Sequence, residues 1–147
     1  MIEGIIITPL KVIETIGGNV MHGMKLKDIG YSGFGEAYFS IVKSGAVKGW
    51  KRHRQMISNL IVPVGSIRFV VFDDRQNSQS LNQLQEIVIS KNDNYSRLTV
   101  PPMVWFGFQG MDKKDSIILN VASIKHSPDE VDRQELDAIK FDWDGGS

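Results

Sequence analysis

Residues 45–72 read GAVKGWKRHRQMISNLIVPVGSIRFVVF. This stretch decides the fold. Ala46 to His53 reads as a strand, Lys48, Trp50 and Arg52 falling on one face and Val47, Gly49, Lys51 and His53 on the other. Ser58 to Val64 and Ile67 to Phe72 are two β-branched runs separated only by Gly65-Ser66, the signature of a hairpin with a two-residue, glycine-first turn. The polar cluster Lys48–Gln55 then sits at the mouth of whatever the strands enclose.

Working outward, the same rhythm continues. Residues 4–16 give one or two short strands broken at Pro9, Gly17-Gly18-Asn19 is a turn, and Val20–Met24 a short strand. Lys25–Gly33 is a loop, with room for one helical turn. Phe34–Ile41 is a strand with Glu36 and Tyr38 in phase. Strands follow at Leu84–Ile89, Arg97–Val100, Met103–Phe108 and Ser116–Ala122, with turns between them. The acidic tail after Pro128 has room for one short helix, Asp132 to Ile139. Short strands at this spacing predict an all-β sandwich or barrel.

The chain has 147 residues, 41% of them hydrophobic, which suits one domain over residues 1–147. Its formal net charge is zero, so nothing global points to nucleic acid or an anionic membrane, and we expect neither as a partner. With no cysteine there is no disulfide, thiol nucleophile or cysteine-held metal. The opening MIEGIIITPLKVIE has too short an apolar run for a signal peptide, and no segment is long enough to span a membrane. We expect a cytoplasmic protein.

The order of the pieces resembles the dTDP-4-dehydrorhamnose 3,5-epimerases, cupin-type jelly rolls that act on nucleotide-linked 4-keto sugars. Gly45-Ala46-Val47-Lys48-Gly49-Trp50 matches that family's Gly-Val-Leu-Arg-Gly-Leu, and Asp73-Asp74-Arg75-Gln76-Asn77-Ser78 its Asp-Leu-Arg-Arg-Gly-Ser. Val100-Pro101-Pro102 with Phe106-Gly107-Phe108, and Ser127-Pro128-Asp129-Glu130, follow in the same order. The resemblance implies an all-β, cupin-type jelly roll with a short C-terminal helix or turn. It implies an isomerase of the epimerase type that needs no cofactor, with a nucleotide-diphosphate sugar as ligand. It further implies a homodimer, joined through edge strands, for which the N-terminal strands are our candidates.

Several positions depart from the pattern. The family's catalytic His falls at Lys51, its second pocket His at Phe106, its catalytic Tyr at Asn120 and its pocket Lys near Ser58. Its phosphate-binding Arg falls at Lys48, and the Asp73/Arg75 pair is kept. Related sequences with a Gly-Trp-Lys-x-His pattern are classed with these epimerases, which marks a divergent branch.

Epimerisation beside a ketone needs a base, a group for the enolate and an acid on the other face. Lys51 and His53 are two apart on one strand, so either serves as base while the other holds the enolate oxygen; Tyr38 is in phase to supply the acid. Lys48, Arg52 and Arg75 are candidates for the diphosphate, Glu36 and Asp73 for sugar hydroxyls, and Trp50 and Trp105 for stacking. Asn59 and Asn120 interrupt apolar strands and are candidate pocket residues. Metal-binding cupins use His-x-His, a Glu and a distant His; here only His53 stands in that pattern, so we expect no metal. Two other readings stay open: a non-catalytic sugar-nucleotide-binding cupin, and a 3,4-ketoisomerase, whose members also carry a polar-x-His pair on this strand.

Overall fold

The computed structural model describes residues 1–145. In chain order its strands are β1 (Ile6–Pro9), β2 (Val12–Thr15), β3 (Gly18–Met21), β4 (Glu36–Val42), β5 (Val47–His53), β6 (Ser58–Val64), β7 (Ser66–Phe72), β8 (Leu84–Ser90), β9 (Ser96–Val100), β10 (Trp105–Gly110), β11 (Ser116–Ala122) and β12 (Val131–Arg133). One sheet runs β1-β9-β6-β11-β4 and a second β12-β5-β10-β7-β8, with all pairings antiparallel; β2 and β3 form a separate ribbon. The two sheets make the cupin-type jelly roll. Alternate residues of each strand point into it, so Leu60, Val62, Ile67, Phe69, Leu98, Phe106 and Ile118 meet in one buried core.

The apparent hairpin at residues 58–72 is a correction. β6 pairs with β9 and β11, and β7 pairs with β8 and β10, so the two runs belong to different sheets. Both strands are buried on both faces because each has a neighbour on either side and both sheet faces are covered, and side-chain alternation therefore carries no information on whether they pair. The chain switches sheets at Gly65, with φ of +83°, where an added Cβ would stand 2.1 Å from Ser116 Oγ. Only glycine fits that corner.

The expected helix at 132–139 is a second correction. Val131–Arg133 instead extends the second sheet along β5, and the helical part is a single 3-10 turn at Leu136–Ala138. The segment has no apolar stripe at helical spacing, whereas Trp50 and Gln134 exchange backbone hydrogen bonds of 3.1 and 3.0 Å. Smaller shifts occur elsewhere: β3 begins at Gly18, β4 at Glu36 and β10 at Trp105. No helical turn forms within residues 25–33.

Beyond residue 133 the chain crosses the outer face of the second sheet. Trp143, Phe141 and Ile139 pack there with Trp50, Val70 and Trp105 in a second apolar cluster. Arg68, buried in β7, fastens this strap by donating to the Trp143 carbonyl oxygen at 2.5 Å.

Candidate functional site

The site is built on β5, and its geometry comes from a bulge. Lys51 lies opposite Phe106 of β10 and Lys48 opposite Phe108, so three steps along β5 match two along β10. The extra residue resets the alternation. Lys48, read from the sequence as facing away from Lys51, comes to the same side, toward the inner ends of β4 and β10. Trp50 and Arg52 turn outward.

Two adjoining cavities open on that inner side. One, of about 360 Å³, is lined by Glu36, Tyr38, Lys51, His53, His126, Val131 and Arg133. The other, of about 420 Å³, is lined by Ser40, Val47, Lys48, Gly49, Trp50, Lys51, Phe106, Phe108 and Arg133. Lys51 and Arg133 belong to both. Among the described residues no group of three or more His, Asp or Glu side chains could hold a metal ion.

His53 is the most constrained group. It is 5% exposed and its ring stacks on Phe106, with centroids 6.2 Å apart. Nδ1 lies 2.5 Å from Glu130 Oε1, while Nε2 has no partner in the protein. The second Glu130 oxygen accepts the Gln55 and Met56 amides at 3.2 and 3.1 Å. Burial pushes the Glu130 carboxyl upward, but the bond from His53 and the two amides outweigh it and hold it below the usual carboxylate value. Burial pushes His53 below 6.5, against the opposing pull of Glu130. The pair at neutral pH is therefore a carboxylate accepting from Nδ1–H of a neutral imidazole, which leaves a lone pair on Nε2.

Lys51 Nζ lies 5.3 Å from the centre of the same Phe106 ring. Burial, followed by the charges of Arg133 and Lys48, brings the ammonium below its ordinary 10.5. On β4, the Tyr38 hydroxyl oxygen accepts from Asn120 Nδ2 at 3.1 Å, which leaves the phenol proton free to be given elsewhere. Glu36 Oε1 accepts the His126 amide at 3.0 Å.

The structure brings Lys51, His53, Tyr38, Glu36, Lys48 and Asn120 together and disperses the other candidates. Arg52 points outward, pairing with Asp132 at 2.8 Å and Asp74 at 3.2 Å and lying over the Trp105 ring. Trp105 is itself buried and donates to Asp74 at 2.9 Å. Trp50 borders the larger cavity, but its ring turns away to stand 5.5 Å from that of Trp143 and donates to the Leu136 carbonyl oxygen. Asn59 faces the far side of the first sheet, where it joins Thr99 to the Gly30 carbonyl oxygen. Arg75 grips Asp73 through two nitrogens and also bonds the Glu3 carbonyl oxygen, in a separate depression. Arg75, Ser78 and Ser80 hold the Asp73 carboxyl well below its usual range although burial opposes them.

Three residues at the site escaped the sequence reading: His126 and Arg133 on the cavity walls, and Glu130 bound to His53. Glu130 stood in the Ser-Pro-Asp-Glu match, where a carboxylate beside a rigid proline was a usable signal. Arg133 and His126 carried none, because they reach the site through the pairing of β12 and the return of the chain after β11.

A family model described as FdtA: WxcM-like, C-terminal, matches residues 3–140. A solved dTDP sugar isomerase from Desulfovibrio desulfuricans G20 is 37% identical with a TM-score of 0.95, covering 99% of this chain and 94% of that one. The dTDP-4-dehydrorhamnose 3,5-epimerase of Sulfolobus tokodaii is similar in fold, with a TM-score of 0.83 at 23% identity over 95% of this chain and 81% of that one. Among curated proteins, the probable low-salt glycan biosynthesis epimerase Agl13 of Haloferax volcanii is 26% identical over 101 residues. That match takes in 68% of this chain and 64% of the relative's length, less than two thirds of it.

Proposed function

Because the chain belongs to the FdtA, WxcM-like C-terminal family, we propose that it is an isomerase of nucleotide-linked 4-keto-6-deoxy sugars. It works by moving a proton on the carbon beside the ketone, in the making of surface polysaccharide or deoxysugars. One observation carries this reading: the unpartnered Nε2 of a buried imidazole whose other nitrogen is fixed on Glu130. That is the arrangement of a general base.

His53 Nε2 takes the proton from the carbon next to the carbonyl. The C–H electron pair forms a carbon–carbon double bond and the carbonyl π pair moves onto oxygen. Lys51 Nζ stabilises that oxygen. Tyr38, with its proton free, returns one to the opposite face and inverts the carbon. Asn120 and Glu130 touch the acting groups and position them.

A second reading, 3,4-ketoisomerisation, is favoured by Lys51 and His53 rising from one strand against one ring, Phe106. The proton on His53 then goes to the former carbonyl carbon on the same face, while the neighbouring hydroxyl proton passes to the enolate oxygen and the carbonyl moves by one carbon. The two readings share the base and differ in which carbon is reprotonated. The name of the 37%-identical relative, a dTDP sugar isomerase, accommodates both.

Incubation with dTDP- and GDP-linked 4-keto-6-deoxy sugars in D₂O, followed by NMR, tests the proposal. Deuterium at C3 or C5 with the carbonyl unmoved means epimerisation, and a moved carbonyl means ketoisomerisation. Binding without exchange would leave only a sugar-nucleotide-binding cupin.

We further propose a cytoplasmic homodimer. No described helix is long and apolar enough to cross a membrane. Ile13, Ile16 and Val20 of the β2–β3 ribbon, and Phe39 and Ile41 on edge strand β4, expose apolar surface that a second copy would cover. Light scattering on Phe39→Glu/Ile41→Lys should give a monomer where the parent gives a dimer.

A further inference from the structure

The segment from β11 to β12 passes the cavity of Tyr38 and His53 as an arch pinned at both ends. At one end the Ser123 amide donates to the Ile57 carbonyl oxygen at 3.1 Å, and the Ile57 amide to Ser123 Oγ at 2.8 Å. At the other the Glu130 carbonyl oxygen accepts the Arg54 amide at 2.7 Å. Between the pins His126 lies on the cavity wall, its own amide held by Glu36 Oε1 at 3.0 Å. Gly35 lets the arch come this close to the start of β4, since an added Cβ there would overlap the Ile124 backbone. One segment thus brings an imidazole to the cavity and, further along, the carboxylate that fastens His53 from behind. The proton transfers above use His53, Lys51 and Tyr38 and leave His126 without a part.

We propose that His126 is a specificity-determining residue whose imidazole hydrogen-bonds the C3 hydroxyl of the sugar, beside the ketone. This rests on the nucleotide-sugar reading above and deepens it. Lys51 takes the C4 oxygen, and His53 and Tyr38 act at a carbon next to it. The C3 hydroxyl adjoins that ketone, so it stays in the same cavity whichever neighbouring carbon reacts. A neutral imidazole offers one donor and one acceptor, and so does a hydroxyl. A site built to bond a hydroxyl rejects the analogue that lacks it. Because His126 is exposed, water competes for the bond, and the contrast is about tenfold, the net worth of one hydrogen bond.

Calorimetric titration of the full chain tests this with three ligands, each in dTDP- and GDP-linked form: a 6-deoxyhexose reduced at C4, which cannot turn over, its 3-deoxy analogue, and the nucleoside diphosphate alone. The parent should prefer the 3-hydroxy sugar to the 3-deoxy one by about tenfold. His126→Ala should erase that preference by weakening the 3-hydroxy sugar alone. His126→Gln, which keeps a donor and an acceptor, should recover part of it, and Lys125→Ala, an exposed neighbour off the cavity wall, should change nothing. In turnover His126→Ala should raise KM with little change in kcat. The proposal is overturned if the parent shows no preference, if His126→Ala keeps it, if all three ligands weaken equally, or if kcat falls at unchanged KM. In each of those cases the nucleotide-sugar reading stands, because the parent still binds. If the parent binds none of the ligands, that reading falls and the proposal with it.

Discussion

The two faces of β5 carry similar residues to opposite ends. Outward, Arg52 and Arg54 share Asp132, Arg52 also reaches Asp74, and Trp50 and Trp105 are buried under the C-terminal strap. Inward, Lys48 and Lys51 have no carboxylate partner among the described residues, and His53 has one nitrogen tied and one free. Paired cations in a closed network stabilise the strand. Unpaired ones around a cavity leave their charge for something that is not part of the chain. A run of basic residues thus divides, by which side each one faces, into cations paired within the chain and cations left unpaired around a cavity.

The comparison breaks most visibly in rate. His53→Ala should lower kcat/KM by roughly 10²–10⁴-fold, the usual worth of a general base, while Arg52→Ala stays within about threefold of the parent. Equal losses would mean that the faces do not differ. In stability the order reverses: Trp50→Ala should cost roughly 3–5 kcal/mol in urea unfolding, as expected for a buried Trp cut to Ala, and a cost near zero would remove the outer face's structural role. Glu130→Gln should slow turnover by about tenfold or more through loss of the held imidazole. It should also move the acid limb of the pH profile downward, because Glu130 is what pulls His53 up; an unmoved limb would leave Glu130 merely structural. Arg52→Ala should cost only about 1–2 kcal/mol, from partly exposed ion pairs and one cation–π contact.

The smallest effect is in pH. His53 is depressed in the folded chain, so below about 6.5 the unfolded chain takes up a proton that the folded one refuses. Stability should fall as pH drops through that value and keep falling until folded His53 protonates. Glu130, also depressed, adds a loss beginning below its ordinary 4.5. Urea midpoints between pH 7.5 and 4 check both, and a flat profile would contradict the buried dyad.

Much of this was legible in the sequence. Strand positions followed from β-branched runs and turn residues, and the sheet architecture followed from their spacing. Lys51, His53, Tyr38 and Glu36 were found together because a period of two fixes side-chain direction along an unbroken strand. That rule failed where it was interrupted. The bulge reset Lys48, and residues 58–72 passed for a hairpin because central strands hide their pairing. Trp50 and Trp105 were legible as large and aromatic, but the strap that buries them starts only after residue 133, far along the chain from β10. Arg133 was invisible because non-local pairing alone brings residues 131–133 to β5, whereas Glu130 left a mark in the Ser-Pro-Asp-Glu match. Asn59 and Asn120 looked alike in the sequence; they lie on opposite faces of one sheet, and only Asn120 meets the cavity, through Tyr38.

The most direct test is deuterium exchange from D₂O into a dTDP-linked 4-keto-6-deoxy sugar, run in parallel on the parent, His53→Ala and Arg52→Ala. The account predicts exchange at the carbon beside the ketone in the parent and in Arg52→Ala, and its loss in His53→Ala with the sugar nucleotide still bound. Exchange at the parent rate in His53→Ala would contradict it.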